Sequence, residues 1–257
     1  MTSSSKSTTK KSAKGSTKVS NPNSTGGKGF LWALLALLLV GALVIGLIVY
    51  NGRGAMADRI AENVEPVDGV NMELTDNTIT LSGENSDGAK EASLYEDFGC
   101  HFCSELAKKT DEQMLEKIKA GELKVHIHPM VFLDGTAEKY KPAHSTNTLA
   151  AALALADKGE VEPYWNMRKA LLEEQQNLAG VTPDQLADMA KSVGASKGAV
   201  EAIRNSEYMD QAKELGEANE KDLVDKTGDL SSPRVLVDDK DVESNPLENW
   251  IDDLLAS

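Results

Sequence analysis

Alternating and helical patterns of apolar residues divide the chain into a series of short elements. Thr78–Leu81, Ala92–Tyr95 and Leu123–Val131 have the character of strands. Between the last two, residues 103–120 repeat apolar positions at helical spacing, and Gly121 supplies a C-terminal stop. The pattern therefore predicts two strands, a helix and a third strand in that order.

Residues 145–226 have an almost wholly helical pattern. Within them, Thr182–Gln185 is a capping box with Pro183 at the first helical position. Asn205 is expected to cap a last long helix that extends to Leu223. The apolar stripes of this block indicate a packed core rather than a cofactor site.

The C-terminal part of the chain predicts a hairpin and a helix. Residues 231–237 turn into a strand, Asp238–Lys240 makes a hairpin-like turn, and Val242 begins a short partner strand. Asn245–Pro246 is expected to open a final helix that carries Trp250.

The N-terminal part predicts a membrane anchor. Residues 1–29 hold six lysines and no acid, which is typical of a disordered basic tail. Residues 30–50 are then 21 residues without a charge, enough for about 30 Å of bilayer at 1.5 Å per residue. The lysine excess places the tail in the cytoplasm and residues 76–257 outside the cell membrane. A signal peptide cleaved after Ala57 is the second interpretation.

Residues 51–75 are interpreted as a juxtamembrane stalk, with a short helix at their start. From residue 60 onward the chain has 19 lysines and arginines against 40 acids. Such an acidic surface argues against nucleic acid or anionic lipid as a partner.

The candidate chemistry lies in Cys100-His101-Phe102-Cys103, which contains the only two cysteines of the chain. A disulfide that closes so short a loop stabilises a fold little, so the pair is better explained by redox chemistry. Cys100 lies where a strand turns into a helix, and free N–H groups at a helix N-terminus favour the thiolate. Protonated His101 would add positive charge. We therefore predict Cys100 as the nucleophile and Cys103 as the resolving thiol.

The two cysteines have three alternative uses. A c-type haem site needs a histidine directly after the second cysteine, where Ser104 stands. A zinc site needs two more ligands, which His126 and His128 could supply, although they are more simply residues on one strand face. An inert disulfide or thiol pair is also open. No cofactor or metal is expected.

The order of elements and the segment from Tyr95 to Cys103 resemble the DsbA-like thiol–disulfide oxidoreductases, over about residues 75–257. The resemblance implies an α/β thioredoxin fold with an all-helical insertion at 145–226, preceded here by one transmembrane helix. It is greatest to the membrane-tethered type of Gram-positive actinobacteria.

The resemblance also implies roles for residues outside the cysteine motif. Pro233 falls at the position of the family's cis-proline, whose loop lies beside the redox cysteines and helps to hold substrate. Phe102, Ser232 and Arg234 are accordingly the expected substrate-binding residues. The expected catalytic residues are Cys100, His101, Cys103 and Pro233.

Some positions depart from the family pattern. His101 stands where many relatives have proline, and Ser231-Ser232 replaces the usual residues before the cis-proline. Leu94 stands where thioredoxin buries an acid. Glu96 and Asp97 are open to two interpretations, as proton acceptors for Cys103 or as surface acids.

These features predict a monomeric, membrane-anchored enzyme that introduces disulfides into unfolded secreted proteins and is reoxidised by a membrane partner. A disulfide reductase or isomerase would use the same residues in the opposite direction. A non-enzymatic chaperone or assembly factor is the third hypothesis, and its activity would survive substitution of both cysteines.

Overall fold

The computed structural model describes residues 27–257, and the side chains of residues 31–46 and 56–257. The predicted basic tail lies outside this part of the chain, except for its last three residues. Among the described residues, those up to Tyr50 and those from Asn51 belong to two separate compact units.

The first helix, α1, extends from Gly27 to Ala61 and includes the predicted span of residues 30–50. Within the described residues, no helix combines the length and hydropathy that a membrane crossing requires. The predicted anchor is thus not confirmed, and part of it lies outside the described side chains.

Within residues 51–257, one sheet has the strand order β1-β2-β4-β3-β5-β6. Its strands are β1 (Val70–Thr75), β2 (Thr78–Gly83), β3 (Lys90–Asp97), β4 (Leu123–Met130), β5 (Arg234–Val237) and β6 (Lys240–Asp241). Strands β3 and β4 are parallel, and the other neighbours are antiparallel. The centre of the sheet is apolar because Leu94 pairs with Ile127 on one side and Val235 on the other, and all three are buried.

Helices cover this sheet and fill the long connection between β4 and β5. They are α2 (His101–Lys119), α3 (His144–Ala156), α4 (Val161–Glu173), α5 (Pro183–Ser192), α6 (Lys197–Arg204), α7 (Met209–Thr227) and α8 (Trp250–Leu255). Helix α2 packs against β2 and β4, and it also contacts α4 and α8. The predicted thioredoxin-like fold with a helical insertion is therefore confirmed.

Local signals in the insertion are also confirmed. The Gln185 amide donates to Thr182 Oγ1 at 3.3 Å, and the Thr182 amide donates to Gln185 Oε1 at 3.0 Å. Pro183 is the first residue of α5. The capping box thus satisfies two N–H groups at the point where the sequence predicts a helix to begin.

The structure differs from the predicted elements in four places. The partner strand β6 is Lys240–Asp241, so it includes the last residue of the predicted turn and does not begin at Val242. The segment 51–75, interpreted as a stalk, contains β1, all six residues of which pair with β2, so the folded domain begins before residue 76. Asn205 is the C-cap of α6 and does not open α7. The apolar pattern did not distinguish α6, a short helix that begins after its N-cap Ser196, from the helix that follows it. After Pro246, a 3₁₀ turn precedes the α-helix, which begins at Trp250.

Candidate active site

The cysteine pair lies at the N-terminus of α2, directly after the central strand β3. Cys100 is the N-cap residue of the helix, and its backbone amide donates to the Asp97 carbonyl at 2.8 Å. Both cysteines are free thiols. Cys100 is 7% exposed and Cys103 2%, so the first is the more accessible of the two.

The surroundings of Cys100 favour its thiolate. Its pKa falls from an ordinary value of 9.0 to about 5, chiefly because the Cys103 thiol donates a hydrogen bond to it. Ser232 and the backbone amides of Cys103 and Phe102 lower the pKa further, whereas burial opposes them. The predicted contribution of the helix N-terminus is therefore present.

Cys103 has the opposite character. Burial raises its pKa well above 9.0, and the neighbouring Cys100 raises it further. At neutral pH the thiolate therefore belongs to Cys100, and Cys103 holds the proton. This asymmetry agrees with the predicted nucleophile and resolving thiol.

We predict that reduced protein will be alkylated at Cys100 first, with a reactivity midpoint near the pKa of about 5 and a much slower reaction at Cys103. Mass spectrometry of the alkylated peptides across a pH series measures both rates. In the Cys103→Ala variant the midpoint should move upward, because the largest stabilising hydrogen bond is lost. Equal reactivity of the two thiols would contradict the assignment.

The loop before β5 lies beside the nucleophile. The Ser232–Pro233 peptide bond is cis, as predicted. The carbonyl oxygen of Ser232 is 3.3 Å from Cys100 Sγ and can accept a hydrogen bond from the thiol. The structure therefore brings this loop and the cysteine motif together from opposite ends of the domain sequence.

The other predicted site residues lie on the first turn of α2 and in the hairpin that follows the cis-proline. His101 and Phe102 are exposed on the first turn of α2, with ring centroids 5.7 Å apart. Arg234 is turned into its own hairpin, where Nε donates to Asp241 at 2.6 Å and Nη1 to Ser231 Oγ at 3.1 Å. A role of Phe102, Ser232 or Arg234 in substrate binding stays a prediction.

The two acids before the motif are not surface groups. Glu96 is 2% exposed and Asp97 0%. Both oxygens of Glu96 accept hydrogen bonds from Arg168, at 2.8 and 2.6 Å. The surface interpretation was wrong because partners distant in sequence enclose the end of β3, and Glu96 is already paired within the core.

Asp97 is the buried carboxyl nearest the motif along the chain. It accepts hydrogen bonds from the backbone amides of Gly99 at 2.7 Å and Leu133 at 3.2 Å. Burial nevertheless raises its pKa to about 7. A carboxyl with this pKa can hold or release a proton at neutral pH.

The Asp97→Asn substitution should change how stability depends on pH. A carboxyl whose pKa rises from 3.8 in the unfolded chain to about 7 in the fold binds more protons when folded. Its contribution is complete below pH 4 and is lost as the pH rises to about 7. The stability of the variant relative to wild type should therefore improve by roughly 2–4 kcal/mol between pH 4 and 8, as urea unfolding would measure. A difference that is constant with pH would contradict the burial of an ionisable Asp97.

The histidines of β4 lie on the strand face, as predicted. His126 contacts Thr80 Oγ1 and Glu91, each at 3.0 Å. His128 stacks on Tyr95 with ring centroids 4.4 Å apart, and burial lowers its pKa to about 4. Among residues 27–257, no group of three or more His, Cys, Asp or Glu side chains could hold a metal ion.

Sequence reasoning missed the buried charges behind the site. Arg168 on α4 is 1% exposed and pairs with Glu96 of β3 and with Asp111 of α2, the latter at 2.7 Å. One feature of the sequence indicates this burial. Arg168 lies on the apolar face of its helix, between Tyr164 and Leu171, where a charged side chain needs an ion-pair partner.

Comparisons with known proteins agree with this geometry. The sequence profile of the thioredoxin family matches residues 81–254. The structure is similar to MdbA, a thiol-disulfide oxidoreductase from Corynebacterium matruchotii, with 36% identity and a TM-score of 0.73 over 78% of this chain and 98% of that one. For MdbA from Corynebacterium diphtheriae the identity is 36% and the TM-score 0.71, over 76% and 98% of the two chains.

A more distant structure shares the fold alone. DsbA from Mycobacterium tuberculosis is 17% identical, with a TM-score of 0.52 over 70% of this chain and 98% of that one. A search among curated proteins finds no match.

A dithiol that opens a helix beside a cis-proline loop defines the class of thiol–disulfide oxidoreductases. The family profile covers more than half of the sequence, so the chain belongs to the thioredoxin family. Together with the two MdbA structures, this membership makes it a DsbA-like protein disulfide oxidoreductase.

Proposed function

We propose that this enzyme acts outside the cytoplasm and introduces disulfides into unfolded secreted proteins. The observation that carries the proposal is the asymmetry of the two thiols. A Cys100 pKa of about 5 stabilises the reduced form as a thiolate, and stabilisation of the reduced form makes a disulfide a stronger oxidant.

The reaction begins with the Cys100–Cys103 disulfide. A client thiolate attacks Cys100 Sγ, the bond between the two cysteines breaks, and Cys103 leaves as a thiolate that takes up one proton. A second client thiolate then attacks the client sulfur of the mixed disulfide. The client disulfide forms, the Cys100 thiolate is released, and two electrons have passed to the enzyme.

Asp97 is the group we assign to the proton of Cys103. Its backbone lies within hydrogen-bond reach of the Cys103 thiol, and its carboxyl has a pKa of about 7. The proposed role of this carboxyl is to give a proton to the leaving Cys103 thiolate and to take it back when a reoxidising partner restores the disulfide. In this proposal Asp97 takes the role of the buried acid that thioredoxin has at the position of Leu94.

The direction of the reaction is tested by the potential of the pair and by activity on a client. The Cys100–Cys103 equilibrium is measured against glutathione, and oxidised protein is mixed with a reduced, unfolded protein whose activity needs two disulfides. We expect a potential near that of DsbA, about −120 mV, and recovery of client activity. A potential near that of thioredoxin, about −270 mV, would instead indicate a reductase. Recovery that persists in the Cys100→Ala/Cys103→Ala variant would indicate a chaperone.

We also infer that residues 30–50 anchor the enzyme to the cell membrane, with the lysine-rich tail inside and the catalytic domain outside. The support is the 21-residue uncharged sequence, its helical backbone, and the exposure of apolar side chains from Leu31 to Ile45. Protease added to intact cells should remove the domain and leave the tail protected. A protected, cytosolic domain would argue against disulfide formation, because cytosolic thiols are kept reduced.

A further inference from the structure

A cleft beside the nucleophile is not used by the exchange reaction itself. It has a volume of about 600 Å³ and is lined by residues that include Gly99, Leu133, His144, Ser145, Ala179 and Val181. We call it the Gly99 cleft. It lies between the end of β3 and the helical insertion, and no residue of the Ser232–Pro233 loop lines it. Such junctions between substructures are common binding sites.

The cleft reaches the residue next to Cys100 along the chain. Gly99 immediately precedes the nucleophile, so their Cα atoms are about 3.8 Å apart. A Cβ atom at Gly99 would lie 2.6 Å from Ser145 Oγ and 3.2 Å from Asp97 Oδ1. Glycine therefore permits the close approach of the insertion to the cysteine loop, and Gln175 Nε2 fixes it by donating to the Phe98 carbonyl at 2.6 Å.

The charge in the cleft is already satisfied. Asp134 accepts hydrogen bonds from the amides of Ala143 at 2.8 Å, Ser145 at 3.1 Å and Thr146 at 2.8 Å. The Thr146 hydroxyl also donates to it at 2.7 Å. These donors at the start of α3 balance the carboxylate, so the cleft does not call for a cationic ligand.

The cleft combines apolar walls with unpaired polar groups. Leu133 is 49% exposed, and Ala179 and Val181 continue the apolar surface. In the part of the chain that the structure describes, both ring nitrogens of His144 are buried without a hydrogen-bond partner, whereas a hydrogen bond from the Ser145 side chain lowers the pKa of Asp97. Buried polar atoms normally have partners, so the His144 nitrogens favour a ligand that brings a hydroxyl or amide.

We propose that the Gly99 cleft binds a bulky, uncharged side chain of the client close to its reacting cysteine. An aromatic residue with a polar end, such as tyrosine, matches the apolar walls and the unpaired groups. The inference rests on the proposed function, because the client's attack on Cys100 is what brings its neighbouring residues to the cleft. Binding there would orient the client thiolate toward Cys100 Sγ, with the same bond exchange as above.

The test uses short polyalanine peptides that are blocked at both ends and contain one cysteine. In each peptide, one position within three residues of the cysteine, on either side, holds Tyr, Phe or Ala. Their reaction with oxidised full-length protein is followed as loss of the Cys100–Cys103 disulfide. We expect rates in the order Tyr, Phe, Ala at the favoured position, with about a tenfold span. Glutathione serves as a thiol too small to fill the cleft.

Two tryptophan substitutions at exposed alanines complete the design. Ala179→Trp blocks the cleft, whereas Ala120→Trp lies at the far end of α2 from the cysteines. Ala179→Trp should abolish the preference for the tyrosine peptide and leave the glutathione rate within about twofold, and Ala120→Trp should change neither. Equal peptide rates in wild type, or an unchanged preference in Ala179→Trp, would overturn the cleft proposal alone. Failure of wild type to oxidise any of the thiols would overturn the proposed function as well.

Discussion

Replacing Cys103 by alanine should reduce turnover to the level of the uncatalysed reaction and trap the enzyme on its clients. Cys100 keeps a thiolate that can attack a client disulfide, but the thiol that would release the resulting mixed disulfide is missing. The mixed disulfide then persists until another thiol reaches it. Because the change from cysteine to alanine removes only one sulfur atom from the buried site, the domain should still fold.

Non-reducing electrophoresis after an acid quench would show the trapped species as bands that vanish on reduction. The Cys100→Ala variant is the matched control and should form none, because the buried Cys103 has a pKa raised well above 9.0 and little thiolate. Equal amounts of mixed disulfide in both variants would contradict the division of roles between the cysteines.

Replacing the buried Arg168 by methionine should greatly reduce the free energy of unfolding of the domain. The guanidinium bonds Glu96 at 2.8 and 2.6 Å and Asp111 at 2.7 Å, and the side chains of all three residues are 5% exposed or less. Removing the cation leaves two carboxylates in the core, which typically costs about 3–5 kcal/mol. That is a large part of the roughly 5–15 kcal/mol that stabilises a domain.

Urea unfolding of reduced protein at pH 8 and pH 5 would measure this loss. It should be smaller at pH 5, because burial already raises the pKa of Asp111 to about 6 and the orphaned acids can then be protonated. Arg204→Met is the control, since Arg204 pairs at 3.3 Å with Asp184 and Asp188 on the surface and should cost at most about 1 kcal/mol. Similar losses in the two variants would show that the buried cluster does not stabilise the fold.

This cluster also connects the parts of the active site. Glu96 belongs to the strand that leads into the cysteine loop, Asp111 to the redox helix, and Arg168 to the helical insertion. The same insertion forms one side of the Gly99 cleft. The ion pairs therefore join the strand before the cysteines, the redox helix and the insertion that borders the cleft.

The sequence by itself determined those features that depend on neighbouring residues. The spacing of Cys100 and Cys103 at a strand-to-helix junction predicted a dithiol on the first turn of α2. The Thr182–Gln185 capping box predicted the start of α5 because its hydrogen bonds join residues three apart. The resemblance to the DsbA-like enzymes likewise predicted a cis-proline at Pro233, which stands before a predicted strand and hairpin.

Only the tertiary structure decided which polar groups are buried and what surrounds the thiols. Glu96 and Arg168 are 72 residues apart in the sequence. Asp97 accepts a hydrogen bond from the amide of Leu133, which lies 36 residues further along the chain. Residues 70–75 became a strand only because β2 offers all six of them partners. No local pattern encodes such contacts, since burial and pairing depend on which distant segments the folded chain brings together. The burial of the Asp97 carboxyl and the cleft beside Gly99 are products of that assembly.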